Sequence, residues 1–412
     1  MTTDIASTHE VPGEGRGPRL LAHPLTQVLC GALIGALVPY YSILFGIASR
    51  EHGNDFGKFY YATRAWLAGG SLYQSTIATR MQVDGRWMDF LDLNPPHFHL
   101  ALLPFVWLPL NAAALAWHAA NIIAAVLTIH LVLAELRLAW RPAMLLPAIV
   151  VALLASATGA IALTGQFTGM LMLPLTLAWR SARAGHWSAC GAWLGAIIAI
   201  KPFLGLLALP LVLRGRARLL VGLATGGGAG FAIGVAIFGW HAHVEWLGAL
   251  RQVTWAWASM NGSLLGVLSR VLEPSPTFVP PIVKPALITP TWAALSLPVA
   301  AVSYLHARHS VDHAFATGVL GALLISPLGW VYYVWLAVPG CLAVWRGRFP
   351  RGAVAGVMAL CVPLFAAPLW GRTGLAAISV GSAYTWATLL LWFSTLTARE
   401  PLPAASPSHS RS

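Results

Sequence analysis

Asp55 stands at the start of a segment, residues 55–73, in which apolar and aromatic residues recur at helical spacing. This periodicity predicts an amphipathic helix on a membrane surface, with Asp55 at its N-terminus within the headgroup layer. A carboxylate in that position can accept the proton of a hydroxyl group on a lipid-borne molecule, as a general base does. Asp also caps helices frequently, so a purely structural role for Asp55 is an equal alternative.

Lys201 is the only lysine inside an apolar run, and Pro202 follows it directly. Because proline cannot continue the hydrogen bonds of a helix, we expect the chain to reverse at this pair. Irregular backbone at membrane depth usually lines a cavity, and an ammonium group there could bind an anionic phosphate. A ligand-binding role is therefore favoured over the alternative, a lysine that only extends to the membrane interface.

Other polar residues fall in short motifs that we expect on the same side of the membrane. They are Gln166 in a turn, Asn261, Ser263 and Arg270 in a polar segment, and Trp330, Tyr332 and Tyr333 after Ser326-Pro327. Each motif alone is typical of a turn or a cap, so their common location is the stronger indication. His241, His243 and Glu245 alternate beside two tryptophans, which favours an interfacial belt over a metal site.

The 412 residues are 58% hydrophobic and 9% charged, and the formal net charge is +12. Soluble domains carry about 25% charged residues, so a chain this poor in charge cannot cover a water-facing surface of its own. The arginines fall in short loops between apolar runs and are explained by membrane topology. Binding to nucleic acid is therefore not expected.

We predict an all-α membrane protein, a polytopic bundle of about twelve transmembrane helices with both termini in the cytoplasm. The predicted helices are 25–48, 112–136, 142–162, 167–179, two short helices within 187–213, and then 219–239, 291–307, 314–327, 330–345, 352–369 and 374–396. Residues 1–399 are one domain, with external segments at 49–111, which holds juxtamembrane helices, and at 240–290. Residues 400–412 are rich in Pro and Ser and form a disordered cytoplasmic tail. This topology places the motifs on the external face of the cell membrane.

In order and spacing, the motifs resemble those of glycosyltransferase family 87, polytopic enzymes that use polyprenyl-phosphate-linked sugars. The resemblance runs from Asp55 to about Gly340. It rests on Asp55 with Tyr60-Tyr61, Gly70-Ser71-Leu72-Tyr73, Asn94-Pro95-Pro96, Gly165-Gln166, Lys201-Pro202, Asn261-Gly262-Ser263-Leu264, and Ser326-Pro327 with Trp330. The chain departs from the family where Asn94 replaces a usual Tyr, Gly262 a usual Gln, and Tyr332-Tyr333 stand where members commonly have a His.

The resemblance implies a GT-C type fold and the inverting transfer of a mannose-like hexose or a pentose to a lipid or glycan hydroxyl on the extracytoplasmic face. It implies a polyprenyl phosphate donor, no metal, no cofactor, and Asp55 as the catalytic base. Lys201 and Arg270 are the cations that could stabilise the donor phosphate. The predicted substrate pocket adds Tyr60, Arg64, Gln166, Asn261, Ser263, Trp330, Tyr332 and Tyr333.

A polytopic transporter or lipid flippase remains an alternative to this enzyme. Transporters place polar groups near the bilayer midplane and often contain internal repeats, whereas here the carboxylates cluster in the external segments. A non-catalytic membrane subunit is a third possibility. The sugar, the acceptor and the linkage are not determined by the sequence.

Overall fold

A computed structural model describes residues 21–48, 54–73, 79–83, 86–139, 141–253, 255–346 and 349–398. Its α-helices are α1 (Pro24–Ala48), α2 (Asp55–Leu67), α3 (Leu110–Glu135), α4 (Pro142–Leu154), α5 (Ser156–Thr164), α6 (Thr168–Arg183), α7 (Trp187–Ile200), α8 (Gly205–Leu250), α9 (Leu264–Leu272), α10 (Ile288–Ala307), α11 (Val311–Ile325), α12 (Val338–Trp345), α13 (Arg351–Leu360), α14 (Ala366–Trp370), α15 (Gly374–Ile378) and α16 (Ala383–Leu396). The tail predicted at 400–412 and both predicted cytoplasmic termini lie outside the described residues.

The remaining regular structure consists of short 3-10 helices and one β-hairpin. The 3-10 helices are Pro96–Leu102, Pro202–Leu204, Pro285–Leu287, Val331–Ala337 and Val380–Ser382. Strands β1 (Thr79–Val83) and β2 (Arg86–Phe90) pair antiparallel, with Val83 opposite Arg86. The described chain is thus helical except for this hairpin, which the all-α prediction did not include.

Among the described residues, five helices are long and apolar enough to cross a bilayer. They are Pro24–Ile47, Leu110–Glu135, Ala217–Leu250, Pro285–Ala307 and Gly374–Leu396, and each overlaps a predicted transmembrane helix. The pair α4 and α5 passes the same test together but bends by 61° at its break. Shorter apolar helices occupy most of the other predicted crossings, so the number of about twelve stays a prediction for them.

Helices α7 and α8 pack through small residues. Gly191 lies against the backbone of Leu219, and Gly195 lies against the backbone of Gly227. Because both residue numbers rise together along the contact, this part of α8 runs parallel to α7. Close backbone contact of this kind is a common way for helices to associate within a membrane.

The parallel packing requires the chain to reverse direction twice between α7 and the later part of α8. The apolar helices on either side are Pro202–Gly215 and Ala217–Leu250, and Gly215 contacts Trp187 at the beginning of α7. The segment 202–215 therefore runs back along α7 before the chain turns near Arg216. Both reversals agree with the prediction, although α8 continues to Leu250, eleven residues past the helix end expected at 239.

We expect Gly226→Ala to destabilise the protein, because a Cβ at this position would overlap the carbonyl oxygen of Ala192 on α7. Overpacking of this kind costs about 1–3 kcal/mol of unfolding free energy. Gly228→Ala is the matched control, since a Cβ there has no neighbour within 4 Å and alanine favours a helix over glycine. Unfolding in mixed detergent micelles would measure both variants, and equal stability would contradict the proposed packing.

Gln166 and a cluster of arginines and carboxylates lie at opposite ends of α6. Gln166 stands just before the first residue of α6, whereas Arg183 ends it. Arg183 binds Glu135 at 3.1 Å and Asp312 at 2.6 Å, and Arg180 binds Glu135 at 3.1 Å. The 16 residues of α6 separate this arginine cluster from Gln166 by about 24 Å.

Candidate active site

Asp55 is the first residue of α2, but a neighbour performs the capping. Asn54 has extended backbone geometry, and its side chain accepts a 2.6 Å hydrogen bond from the N–H of Gly57. The alternative in which Asp55 serves only as the cap is therefore not supported. Both carboxylate oxygens of Asp55 make other contacts: Oδ1 lies 2.7 Å from Nζ of Lys58, and Oδ2 accepts a 2.5 Å hydrogen bond from Nε2 of Gln166.

Helix α2 differs from the predicted surface helix, because its first half is buried in the protein. Phe56, Phe59 and Tyr60 are almost fully buried, and the Phe56 ring lies 5.8 Å from that of Trp117 on α3. The aromatic side chains that suggested contact with lipid thus pack against other helices. This packing holds Asp55 at a fixed position beside the turn that follows α5.

Gln166 reaches Asp55 because of the glycine before it. Gly165 has φ +72°, and a Cβ at this position would overlap Phe56, so both the turn and its approach to α2 need glycine. Trp117 donates a 2.8 Å hydrogen bond to the carbonyl of Gly165, and Asn121 donates a 3.0 Å bond to that of Gln166. The predicted turn at 165–166 is confirmed, and the side chain of Gln166 is directed at the Asp55 carboxylate.

Lys201 lies next to the same turn. Its Nζ donates a 2.7 Å hydrogen bond to Oδ1 of Asn94, and it stands 5.0 Å from the ring centroid of Phe167 and 5.3 Å from that of Tyr333. Since Gln166 contacts Asp55 and the adjacent Phe167 contacts Lys201, a carboxylate and an ammonium group contact one dipeptide. That these two groups act in one site stays a prediction.

A buried carboxylate, Asp92, lies behind Asn94. Its Oδ1 accepts hydrogen bonds from the backbone N–H and from Nδ2 of Asn94 at 2.8 and 2.7 Å, and its Oδ2 lies 3.4 Å from Nε2 of His99. Burial alone would raise the pKa of Asp92, but His99 and Lys58 outweigh this effect and hold it below its ordinary value. The group is therefore an anion inside the protein.

Arg270 does not join this cluster, although it was predicted to bind the donor phosphate. The side chain is fully buried and donates to Ser382 Oγ at 3.0 Å, Thr385 Oγ1 at 3.1 Å, Ala258 O at 2.9 Å and Asn261 O at 3.2 Å. These acceptors engage all three guanidinium nitrogens. The contacts favour a structural role, in which Arg270 connects α9 to α16 and to the loop before α9.

Asn261 and Ser263 also make structural contacts. Nδ2 of Asn261 donates to Ala256 O at 2.8 Å and to Pro327 O at 2.9 Å, and its Oδ1 accepts from Gly329 N at 2.9 Å. Ser263 caps α9 by accepting a hydrogen bond from Gly266 N at 3.0 Å. Both residues thus hold the polar segment before α9 against the loop that leads to Trp330, with which Asn261 forms an isolated β-bridge.

The other predicted pocket residues divide between the cluster and its surroundings. The Tyr60 hydroxyl donates to Leu108 O at 2.7 Å and accepts from Arg64 at 3.2 Å, so their contacts do not include Asp55 or Lys201. Trp330 stacks on Tyr332 at 6.2 Å, and Tyr332 meets Tyr333 edge-on at 4.6 Å. Among these residues, Tyr333 is the one that reaches Lys201.

The sequence profile of glycosyltransferase family 87 matches residues 93–327, more than half of the chain. The chain belongs to glycosyltransferase family 87. The matched region of this glycosyltransferase contains Asn94, Gln166 and Lys201, and Asp55 is attached to it through the hydrogen bond to Gln166. No curated protein and no solved structure matches the chain.

Within the described part of the glycosyltransferase, no group of three or more His, Cys, Asp or Glu side chains could hold a metal ion. His241 and Glu245 approach to 3.5 Å one helical turn apart, whereas the ring of His243 stacks with that of His97 at 6.5 Å. His243 thus contacts a different partner from His241 and Glu245.

Sequence analysis did not assign roles to Lys58 and Asn94. Lys58 stands three residues after Asp55, a spacing that places two side chains on one helical face. The sequence itself therefore indicates this ion pair. Asn94 had no such signal, because its contact with Lys201 joins residues 107 positions apart.

Arg270→Met tests whether the arginine of this glycosyltransferase is structural. We expect the unfolding free energy to fall by about 2–4 kcal/mol, because several buried carbonyl and hydroxyl groups lose their donor. The donor KM of the folded fraction should not change. Arg251→Met, at an exposed arginine beyond the end of α8, is the control for loss of charge. A folded Arg270→Met enzyme with a raised donor KM would instead assign Arg270 to the phosphate.

Proposed function

We propose that this glycosyltransferase transfers a hexose such as mannose, or a pentose, from a polyprenyl phosphate to a hydroxyl group of a lipid or glycan, with inversion. The observation that carries the proposal is that Asp55 and Lys201 contact the adjacent residues Gln166 and Phe167. A base for the acceptor and a cation for the leaving phosphate are the two groups that this reaction requires. Family membership supports the sugar transfer itself.

In the proposed reaction, the acceptor oxygen attacks the anomeric carbon on the face opposite the phosphate. The bond from carbon to phosphate oxygen breaks, and its electron pair leaves on the polyprenyl phosphate. Asp55 takes the hydroxyl proton as the new carbon–oxygen bond forms. Lys201 stabilises the charge that develops on the phosphate. Because the transition state resembles an oxocarbenium ion, an anion and a cation on opposite sides of the sugar suit its charge distribution.

Gln166 and Lys58 fix the direction of the Asp55 carboxylate in this reaction. Gln166 donates to Oδ2, and Lys58 lies against Oδ1, while the Asp55 side chain keeps 20% of its surface exposed. A base must lie within hydrogen-bond reach of the proton that it accepts, and fixed neighbours reduce the cost of reaching that geometry. Lys58 therefore has a positioning role in the proposed site.

The proposed topology has about twelve crossings, a GT-C type bundle and both termini in the cytoplasm, which would place the site on the external face of the cell membrane. Cytoplasmic loops of membrane proteins carry an excess of Lys and Arg. Arg180 and Arg183 lie at the end of α6 away from Gln166, and Arg214 donates to the carbonyl of Arg308. Assigning these arginines to the cytoplasmic side leaves Asp55 and Lys201 on the other.

The direct test uses the protein purified in lipid nanodiscs with radiolabelled polyprenyl phosphoryl mannose and polyprenyl phosphoryl arabinose, together with lipid extract as the acceptor. We expect label to move from one of these donors to a new glycolipid, with release of polyprenyl phosphate in equal amount. GDP-mannose should donate nothing. Transfer from the nucleotide sugar would contradict the donor assignment, and movement of intact donor across a vesicle membrane without cleavage would favour the flippase alternative.

A further inference from the structure

The side chain of Asn94 forms a bridge between two charged groups. It is 3% exposed. Its Nδ2 donates to Asp92 at 2.7 Å, and its Oδ1 accepts from Nζ of Lys201 at 2.7 Å. A carboxylate can only accept and an ammonium group can only donate, so the two charges together determine which way the Asn94 amide faces.

The segment around Asn94 is held at several points. The Asn94 carbonyl accepts a 2.7 Å hydrogen bond from the hydroxyl of Tyr73, and the Leu93 carbonyl accepts a 3.0 Å bond from Nε1 of Trp246. Burial raises the pKa of Tyr73 well above its usual value, so its hydroxyl keeps the proton that it donates. The amide bridge therefore stands on a fixed backbone.

His99 lies on the far side of Asp92. The hydroxyl of Thr63 donates to Phe59 O at 2.9 Å, and its oxygen lies 2.9 Å from Nδ1 of His99. Thr63 therefore holds the His99 ring in place through Nδ1. Nε2 of His99 then faces Oδ2 of Asp92 at 3.4 Å. Asp92 is thus held through Oδ1, which accepts both hydrogen bonds from Asn94.

We propose that Asn94 is a positioning residue that directs the ammonium group of Lys201 toward the phosphate of a polyprenyl phosphate, with Asp92 setting the orientation of the Asn94 amide. This inference rests on the proposed function of the site. A lysine side chain has four rotatable bonds and a compact charge. Its affinity for a phosphate therefore depends on how many of its conformations the protein removes in advance. The Asn94 amide is neutral, so it restricts the conformations of Lys201 without acting as a counter-ion in place of the phosphate.

Asn94→Leu removes both hydrogen bonds at nearly constant volume. We expect the KM for polyprenyl phosphoryl mannose to rise about tenfold, the effect of losing one hydrogen bond to a charged group, while the acceptor KM stays unchanged. Binding of polyprenyl phosphate, measured by calorimetry in nanodiscs, should weaken by the same factor. Asn94→Asp is the second variant. It keeps the size of Asn94 but places a carboxylate against Asp92 and gives Lys201 a permanent counter-ion, so it should also weaken phosphate binding.

Asp92 provides the conservative comparison. Asp92→Asn retains an oxygen that can accept from Asn94, whereas Asp92→Leu does not. We expect Asp92→Asn to keep much more of the phosphate affinity than Asp92→Leu when both are folded. Folded Asn94 variants that bind polyprenyl phosphate like the wild type would overturn the inference. Wild-type protein that neither binds polyprenyl phosphate nor transfers sugar would overturn the proposed function instead.

Discussion

Asp55→Asn should reduce the turnover number for sugar transfer by about 10²- to 10⁴-fold, the usual contribution of a positioned general base. The variant keeps the size of the side chain, and the Gln166 amide can rotate so that its oxygen accepts from the new N–H. Only the charge and the basic oxygen are lost. The donor KM should change little, because Lys201 is intact. Turnover with a radiolabelled polyprenyl phosphoryl sugar measures both quantities.

Asn54→Ala is the matched control for this variant. Asn54 caps α2, and removing a cap costs about 0.5–2 kcal/mol of stability, so this neighbouring substitution should destabilise the helix without removing the base. In a deletion strain, wild-type protein should restore the missing glycolipid, and Asp55→Asn should leave the unmodified acceptor accumulated. Full complementation by Asp55→Asn would reject the catalytic role of Asp55.

Much of the chain path could be predicted because proline, glycine and arginine mark it. Pro202 and the arginines around 216 predicted the reversals that the α7–α8 contacts require, and Gly165 predicted the turn that presents Gln166. Each of these signals is local, since proline and left-handed glycine restrict the backbone at their own positions. Elements with such markers are therefore the ones that sequence analysis located well.

The hairpin was missed although it also had a local signal. In the sequence, Asp84-Gly85 is the kind of dipeptide that favours a two-residue hairpin turn. The register of β1 and β2 places Val83 opposite Arg86. The high hydrophobicity of the chain favours a helical interpretation, and two short polar strands are a weak signal beside it. A search of the external segments for turn dipeptides would have found the hairpin.

The role of Arg270 could not be predicted, because its partners come from distant parts of the chain. Ser382 and Thr385 lie more than 100 residues later, and neither pattern nor composition links them to an arginine in a predicted external segment. A cation in such a segment suggests a phosphate ligand, yet carbonyl and hydroxyl groups can satisfy a guanidinium equally well. Only tertiary structure separates these possibilities.

Tyr333, one of the two tyrosines at the position of the expected family histidine, lies against Lys201. Tyr333 is 2% exposed, and its ring lies 5.3 Å from Nζ of Lys201. The face of an aromatic ring attracts a cation, and Phe167 presents a second ring at 5.0 Å. In the part of the chain that the structure describes, Asn94 provides the only hydrogen-bond acceptor for Lys201. An ammonium group has three N–H donors, so the arrangement suits an additional anionic ligand.

Lys201→Met should therefore lower kcat/KM for the polyprenyl phosphoryl donor by about 10²- to 10³-fold, as the loss of a positioned electrostatic donor does in other enzymes. Methionine keeps an unbranched side chain between Phe167 and Tyr333 but provides neither charge nor hydrogen bond. Lys201→Arg keeps the charge, but its planar fork does not fit the same geometry, so we expect it to recover only part of the lost rate. Binding of polyprenyl phosphate should fall in parallel with kcat/KM.

Lys284→Met is the matched control, because Lys284 is an exposed lysine in the segment that joins α9 to α10. It removes the same charge from the chain, so it separates the local effect of Lys201 from any change in net charge. In the proposed mechanism Asp55 acts on the acceptor and Lys201 on the leaving group, so the two principal variants should differ in kind. Asp55→Asn should still bind polyprenyl phosphate, and Lys201→Met should not. A Lys201→Met protein with wild-type phosphate binding would show that another cation, such as Lys58, receives the leaving group.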